Sequence, residues 1–316
     1  MDHLVSADKP TMYFIGVTTG KSSINRIFPL WAKAIGLGDC QLRGMDFKLH
    51  DEPGRYREAV EFIKEDQLSL GALVTTHKID LCHACRDIFD EIDPFSDAMG
   101  EVSSIYKRDG RLHGRAVDPF SSGFALEAFL PAHHWSENSG AEAFILGAGG
   151  SAVALAWHLV RKKHGKNVPR KIHVANRSMP RLEHLHKVYA TWNTPVELAI
   201  HHVPEAALSD GLVGKLPPSS LIVNATGLGK DAPGSPLTNE VVFPEHAYVW
   251  EFNYRGDLLF LQQARAQARE RKLIVEDGWI YFIHGWTGVI ADVFNVDIPS
   301  RGPAFDQLSV IARDAR

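Results

Sequence analysis

A glycine-rich loop between a predicted strand and a predicted helix constrains this chain more than any other feature. The apolar run Ala143–Leu146 has strand character and is followed directly by the glycine-rich segment Gly147–Gly150. Ser151–Lys163 then has the pattern of a helix, and a second apolar strand, Ile172–Ala175, comes after it. Glycines let the backbone approach a pyrophosphate closely, and a helix N-terminus presents free N–H groups to negative charge. The segment therefore predicts a βαβ unit that binds a nucleotide.

Length and composition limit what else the chain can be. Its 316 residues are enough for two domains, each with its own core. A net charge of -4 gives no reason to expect nucleic acid or an anionic membrane as partner. Neither a signal-peptide pattern nor an apolar run long enough to span a bilayer is present. We predict a cytoplasmic protein that acts on a small molecule without nucleic acid or membrane as partner, and we leave a homodimer open.

Three cysteines do not suggest a disulfide framework. Cys82 and Cys85 have the spacing of a metal or redox pair, but no second pair exists to complete a zinc site. We therefore predict no metal.

Strand and helix signals alternate along the whole chain. In the first third, strands are predicted at Met12–Val17, Cys40–Phe47 and Leu70–Thr76, each followed by a helix, and a hairpin is predicted around Arg108-Asp109-Gly110. Later strands are predicted at four places, Glu197–Val203, Ser220–Thr226, Tyr248–Tyr254 and Lys272–Asp277. This alternation predicts an α/β fold, with parallel sheets that carry helices on both faces and ligands at the carboxyl ends of the strands.

The end of the second strand of the βαβ unit indicates which cofactor binds. NAD-binding proteins usually place Asp or Glu there, where it binds the ribose 2′-OH. This chain has Asn176-Arg177-Ser178 instead, with Arg181 close behind. Two guanidinium groups and a hydroxyl suit a 2′-phosphate, because arginine offers several donors and a permanent charge. We predict NADP rather than NAD; the alternative is that Arg177 and Arg181 are solvated surface charges.

A lysine and an aspartate stand at the ends of two predicted strands. Lys78 follows one strand, and Asp118 ends another and precedes a helix, so both are predicted to lie on loops. Oxidation of a secondary alcohol requires a group that takes the hydroxyl proton as hydride leaves, and a Lys–Asp pair can do so. By spacing alone, both residues are equally compatible with ordinary surface charges.

A series of short motifs occurs in an order that resembles the shikimate dehydrogenase family. Each motif is unspecific by itself, but together they extend over nearly the whole chain. The motifs are GVTTGKSS (Gly16–Ser23), VTTHK (Val74–Lys78), VDPFSSGF (Val117–Phe124), GAGGSA (Gly147–Ala152), ANRS (Ala175–Ser178), NATGLG (Asn224–Gly229), NY (Asn253-Tyr254) and DG (Asp277-Gly278).

The resemblance implies a domain organisation and a reaction. It implies an N-terminal α/β domain for substrate over residues 1–121, completed by C-terminal helices at 278–316. It further implies a Rossmann-like, doubly wound NADP-binding domain over residues 122–277. The implied reaction moves hydride between nicotinamide and a small cyclic hydroxy acid or keto acid. The family's catalytic Lys–Asp pair corresponds to Lys78 and Asp118.

The resemblance also implies two sets of binding residues. The substrate set is Ser22, Thr75, Thr76, Ser103 and His284. The family's motif before the catalytic lysine is one residue longer and contains a proline that this chain lacks, so the substrate threonine corresponds to Thr75 or to Thr76, or is absent by strict spacing. The cofactor set is Gly147, Ala148, Gly149, Gly150, Ser151, Asn176, Arg177, Ser178, Arg181, Asn224, Ala225, Thr226, Gly227, Tyr254 and Gly278.

Several polar substrate contacts of the family are changed in this chain. The family's second serine and the following proline near the N-terminus become Ile24 and Asn25. Its Asn-Thr before the catalytic aspartate becomes Ala116-Val117, and its C-terminal glutamine falls at Gly285. A site built to bind a hydroxyl discriminates strongly, so these changes predict an altered substrate. Two alternatives remain: a genuine shikimate or quinate dehydrogenase, and a non-catalytic nucleotide-binding sensor. Retention of the Lys–Asp pair argues against the sensor.

Overall fold

The computed structural model describes residues 4–316. Its contacts divide the chain into two compact units. The first contains the residues up to Val117 together with Ile283–Arg316, and the second contains Asp118–Phe282. The functional domain limits inferred from the resemblance stay a prediction.

Twelve strands are found within residues 4–316. They are β1 (Thr11–Gly16), β2 (Gln41–Asp46), β3 (Ser69–Val74), β4 (Glu91–Ile92), β5 (Ser104–Arg108), β6 (Arg111–Arg115), β7 (Ala143–Leu146), β8 (Lys171–Asn176), β9 (Glu197–His202), β10 (Leu221–Asn224), β11 (Tyr248–Glu251) and β12 (Ile274–Glu276).

Twelve α-helices are found in the same range. They are α1 (Ile24–Ala34), α2 (Pro53–Glu65), α3 (Lys78–Cys85), α4 (Pro94–Met99), α5 (Asp118–Glu127), α6 (His134–Glu137), α7 (Gly150–Leu159), α8 (Met179–Ala190), α9 (Ala206–Val213), α10 (Leu259–Arg271), α11 (Trp279–Phe294) and α12 (Pro303–Asp314). Within this range, no helix is both long enough and apolar enough to cross a bilayer.

The sheet of the first unit is mixed, with the order β2-β1-β3-β5-β6-β4. Strand β1 is parallel to β2 and β3, and all of its residues are buried, as expected for a strand inside the parallel part of a sheet. The predicted hairpin is β5–β6, which adds antiparallel strands to this sheet. Its turn residues Asp109 and Gly110 both have positive φ, which suits the twist of a two-residue hairpin turn.

Helices of the first unit pack by their apolar stripes. In α1 the buried side chains are Ile24, Ile27, Phe28, Trp31 and Ala32, which share one face of the helix. The main core cluster lies between β1, β3 and the helices α2 and α3. This packing holds the sheet where β1 and β3 end, and the predicted substrate residues Ser22, Thr75 and Thr76 follow those ends.

The sheet of the second unit is entirely parallel, with the order β12-β11-β10-β7-β8-β9. The chain runs outward from β7 to β9, returns to β10 on the other side of β7, and continues to β12. This is the doubly wound, Rossmann-like order, and ligands bind where the direction reverses, between β7 and β10. The prediction of this fold class is confirmed.

Most predicted elements exist, but several limits differ. The predicted strand Lys272–Asp277 is reduced to Ile274–Glu276. Lys78 and Asp118 do not lie on loops, because each is the first residue of a helix, α3 and α5 respectively. Both side chains are therefore held at helix N-termini, where the backbone is more fixed than in a loop.

Candidate active site

The glycine-rich turn follows β7 and leads into α7. Gly147 has φ +109°, and a Cβ built there would lie 2.8 Å from the carbonyl oxygen of Ala225. The turn therefore packs directly against the backbone that follows β10. A Cβ at Gly149, the residue that precedes α7, would meet no atom within 4 Å. The predicted cofactor residues Ala148 and Gly150 complete this turn, whose open side beside a helix N-terminus fits a pyrophosphate.

The second predicted cofactor loop lies at the end of β8. The Asn176 Nδ2 donates a hydrogen bond to the Ser178 carbonyl at 3.3 Å, which closes the loop before α8. Arg177 is exposed and Arg181 is half-buried. The His202 Nε2 lies 3.1 Å from the Arg177 carbonyl oxygen. This loop keeps two cations near solvent, as 2′-phosphate binding requires.

The buried carboxylate of Glu251 links two more predicted cofactor segments, those that follow β10 and β11. Glu251, at the end of β11, accepts hydrogen bonds from the Asn224 Nδ2 at 2.7 Å and from the Asn253 backbone N at 2.8 Å. The Thr226 hydroxyl donates to the Asn224 Oδ1 at 2.6 Å. Burial raises the pKa of Glu251 to about 7, although the donated hydrogen bonds oppose this rise. Glu251 is not among the site residues that the sequence predicted. The signal that could have found it is a charged residue within an otherwise apolar strand.

Aromatic side chains surround the predicted residues Tyr254 and Gly278. The Tyr254 ring packs at 4.3 Å from Phe282 and 5.8 Å from Trp279. A Cβ at Gly278 would clash with the carbonyl oxygen of Phe252, so α11 begins in close contact with the chain after β11. The remaining predicted residues Ala225 and Gly227 lie in the turn after β10. The second unit therefore gathers its predicted cofactor residues at the carboxyl edge of its sheet.

Asp118 belongs to this same unit and is 6% exposed. Its Oδ2 accepts hydrogen bonds from the Ser151 hydroxyl at 2.9 Å and from the Tyr281 hydroxyl at 2.7 Å. Ser151 lies in the first turn of α7, directly after the glycine-rich turn. A buried acid–base group is therefore bonded to the start of the predicted cofactor-binding helix.

Lys78 belongs to the first unit and is 9% exposed. Its backbone N donates to the Thr75 carbonyl at 3.3 Å, and the Thr75 backbone N donates to the Ile15 carbonyl at 3.0 Å. Thr75 is half-buried and Thr76 is exposed. The ends of β1 and β3 thus hold Thr75 and Lys78 in one hydrogen-bonded turn.

The other predicted substrate residues are buried in the first unit. The Ser22 Oγ accepts a 3.4 Å hydrogen bond from the Ile24 backbone N. The Ser103 Oγ accepts from the Val117 backbone N at 2.8 Å, so this hydroxyl fixes the strand end before Asp118. His284 stacks on Phe305 at 4.3 Å, and burial lowers the pKa of His284 to about 4.

Cysteine and metal chemistry find little support in this geometry. Cys82 and Cys85 are buried free thiols, and burial raises their pKa values to about 11 and about 12. Over residues 4–316, no group of three or more His, Cys, Asp or Glu side chains is arranged to hold a metal ion.

Sequence comparison finds proteins named shikimate dehydrogenase (NADP(+)). The one from Symbiobacterium thermophilum is 29% identical over 238 residues, which cover 73% of this chain and 72% of the relative. The one from Methylobacterium radiotolerans is 27% identical over 284 residues, 89% of each chain. No family model matches the chain.

Structure comparison finds shikimate dehydrogenases and a reductase of the same fold. Shikimate dehydrogenase from Aquifex aeolicus has a TM-score of 0.71 at 17% identity, with 99% of both chains covered. Shikimate 5-dehydrogenase from Thermus thermophilus, crystallised with NADP(H) and shikimate, has a TM-score of 0.67 at 23% identity, covering 97% of this chain and 99% of that one. A ligand-free 5-ketofructose reductase of a Gluconobacter species has a TM-score of 0.67 at 17% identity, covering 97% and 98%.

The fold is that of a two-domain α/β protein with one Rossmann-like unit, the class to which these crystallised dehydrogenases belong. Within that class, the sequence relatives to which the chain is similar are named shikimate dehydrogenase (NADP(+)), at 29% and 27% identity. These names agree with the resemblance that the order of the motifs indicated.

Proposed function

We propose that this protein is an NADP-dependent oxidoreductase that acts on a small cyclic hydroxy acid or its keto acid. The observation that carries the proposal is the hydrogen bond between Asp118 and Ser151. It joins a buried acid–base group to the first turn after a glycine-rich nucleotide-binding turn. A dehydrogenase needs both functions close together, whereas a nucleotide sensor has no use for the carboxylate.

NADP+, when bound, accepts a hydride at nicotinamide C4. The residues of this chain that fit it are the turn at Gly147, whose missing Cβ allows close approach, and the Arg177–Arg181 loop, whose charges suit a 2′-phosphate. The absence of an acidic residue at Asn176 supports NADP over NAD.

Lys78 and Asp118 are the proposed acid–base pair. When the carbinol C–H bond breaks and hydride leaves, the oxygen forms a C=O bond as its O–H bond breaks. That hydroxyl proton goes to the Lys78–Asp118 pair, and in the reverse reaction the pair returns it. Both side chains are held at the first residue of a helix, which limits the number of orientations that they can adopt.

The proposed substrate differs from shikimate. Ile24, Ala116 and Val117 are buried apolar side chains at positions where the family has polar ones. A site that loses hydrogen-bonding partners no longer favours the hydroxyl that they bound. A 5-ketofructose reductase has the same fold, so the fold by itself does not set the substrate.

We place the protein in the cytoplasm and propose a small molecule as its ligand. Its free cysteines are compatible with a reducing compartment, and its charge of -4 favours neither nucleic acid nor membrane. A homodimer stays a prediction that light scattering on the purified protein would test.

The test is NADP+ reduction with a panel of cyclic hydroxy acids that includes shikimate and quinate, using wild type and Lys78→Ala. We expect turnover of an acid other than shikimate, lost by at least about a hundredfold in Lys78→Ala because general acid–base catalysis contributes that much. Lys64→Ala is the matched control, since this lysine of the same unit pairs with Asp90 and donates to the Ile88 carbonyl, neither of which is a predicted site residue.

Efficient turnover of shikimate would disprove the altered specificity while leaving the oxidoreductase proposal intact. NADP+ binding without turnover of any acid, unchanged in Lys78→Ala, would instead favour the non-catalytic sensor.

A further inference from the structure

Three helices begin around the carboxylate of Asp118. Asp118 is the first residue of α5, Ser151 lies in the first turn of α7, and Tyr281 lies in the first turn of α11. The hydroxyl groups of Ser151 and Tyr281 both donate to Oδ2, at 2.9 and 2.7 Å. Tyr281 follows Asp118 by 163 residues in the chain. Distant segments of the chain thus meet at one oxygen atom.

The two hydroxyl groups differ in how firmly they are held. Tyr281 packs against Phe252 at 4.8 Å and against Trp250 at 6.0 Å between ring centroids. The ring centroids of Trp250 and Phe252 are themselves 4.5 Å apart, so the Tyr281 ring packs against two aromatic rings that also contact each other. A tyrosine hydroxyl has no freedom to leave the plane of its ring, and packing on the ring therefore fixes its position.

A hydrogen bond donated to a carboxylate favours the charged form and fixes its orientation. Asp118 is almost fully buried, so bulk water does little to screen these bonds. Tyr281 makes the shorter of the two bonds, and Ser151 already has a predicted role at the cofactor turn. The firmly held phenol is therefore the better candidate for setting the direction of the carboxylate.

We propose that Tyr281 is a positioning residue that holds the Asp118 carboxylate in the orientation in which it accepts the substrate proton. The inference rests on the proposed function for the role of Asp118 in proton transfer, but the hydroxyl–carboxylate coupling itself does not depend on it. Tyr281 acts through Asp118 and takes no proton itself. Its hydroxyl completes a hydrogen-bonded row from α11 through Asp118 to Ser151 at the start of α7.

The test is a double-mutant cycle of Tyr281→Phe and Asp118→Asn, measured by steady-state kinetics and by thermal unfolding. In the wild-type background, we expect Tyr281→Phe to lower kcat about tenfold, the value typical of one hydrogen bond to a charged group. The KM values for NADP+ and for the acid should change by less than about twofold, since neither ligand loses a contact. In the Asp118→Asn background, the same change should have no further effect on the residual rate.

Tyr189→Phe is the matched control. The Tyr189 hydroxyl donates to the Val196 carbonyl at 2.8 Å, so this variant also removes one buried hydroxyl bond from the second unit. We expect it to lower the unfolding temperature about as much as Tyr281→Phe and to leave kcat unchanged. A merely structural role of Tyr281 would make the two variants alike in both measurements.

An unchanged kcat in Tyr281→Phe, or an equal loss in both Asp118 backgrounds, would overturn the proposal. If the wild-type protein oxidises no acid on the panel, the proposed function fails. The double-mutant cycle measured by thermal unfolding then tests the coupling between Tyr281 and Asp118. The coupling then stands if Tyr281→Phe lowers the unfolding temperature in the wild-type background but much less in Asp118→Asn. Equal lowering in both backgrounds would refute it.

Discussion

Replacing Gly147 by alanine tests the packing on which the whole cofactor site depends. Gly147 has φ +109°, a conformation that side chains other than glycine rarely adopt. A Cβ at this position would lie 2.8 Å from the Ala225 carbonyl oxygen and 3.2 Å from the Thr226 backbone N. Both contacts are with backbone atoms, so no side-chain rotation can relieve them.

The expected loss of stability has two contributions, the strained backbone conformation at residue 147 and the displacement of the backbone that follows β10. Holding a residue other than glycine in such a region costs about 1–3 kcal/mol. Moving the backbone after β10 adds to that cost, because the Ala225 backbone N is tied to the Leu146 carbonyl at 2.8 Å. We expect Gly147→Ala to lower the free energy of unfolding by about 2–4 kcal/mol and the unfolding temperature by roughly 5–10 °C.

The assay combines thermal unfolding with titration by NADP+, and Gly149→Ala is the comparison. A Cβ at Gly149 meets no atom within 4 Å, so we expect its stability to stay within about 0.5 kcal/mol of wild type. Its affinity for NADP+ should still fall, because the added methyl group occupies the open side of the turn. If Gly147→Ala unfolds at the wild-type temperature and binds NADP+ normally, the inferred close contact between the two turns is wrong.

Three further predictions concern charge. Arg177→Ala should weaken NADP+ binding by about 10- to 100-fold and leave NAD+ binding unchanged in calorimetric titrations, because only NADP+ carries the 2′-phosphate; equal losses would contradict this. Burial raises the pKa of Glu251 from 4.5 to about 7, so the native state keeps a proton that the unfolded chain releases. The free energy of unfolding in urea should therefore fall by up to roughly 3 kcal/mol as the pH rises through this window, and Glu251→Gln should remove this slope. Burial lowers the pKa of His284 from 6.5 to about 4, so acidification across this range protonates the unfolded chain first and lowers stability. His284→Phe, which keeps the ring contact with Phe305, should reduce that loss in thermal unfolding; an unchanged pH dependence would be evidence against the burial.

Much of the second unit could be predicted from local patterns. The glycine-rich turn, the short apolar strands and the alternation of strands with helices predicted a βαβ unit in a parallel sheet, which the structure confirms. The turn at Asp109-Gly110 was also readable, because two consecutive residues with positive φ favour these residue types. Such features depend on neighbours in the chain, and that is why their pattern is visible in the sequence.

The candidate site was predictable only in part. The motifs predicted Lys78 and Asp118 as site residues. Strand and helix patterns placed both on loops, whereas each is the first residue of a helix. Glu251 gave only a weak signal, one charge in an apolar strand. The pattern gave no reason to pair it with Asn224, 27 residues earlier.

The sequence by itself determined the α/β fold class and predicted a 2′-phosphate site, because glycine, arginine and apolar periodicity act through local geometry and charge. The order of its motifs indicated the resemblance to shikimate dehydrogenases. Only the tertiary structure decided that Tyr281 and Ser151 donate to the Asp118 carboxylate and that Ser103 fixes the strand end before it. Those bonds join helices and strands that are distant in the chain. Their partners are selected by the packing of the sheets and helices, and no spacing along the chain encodes them.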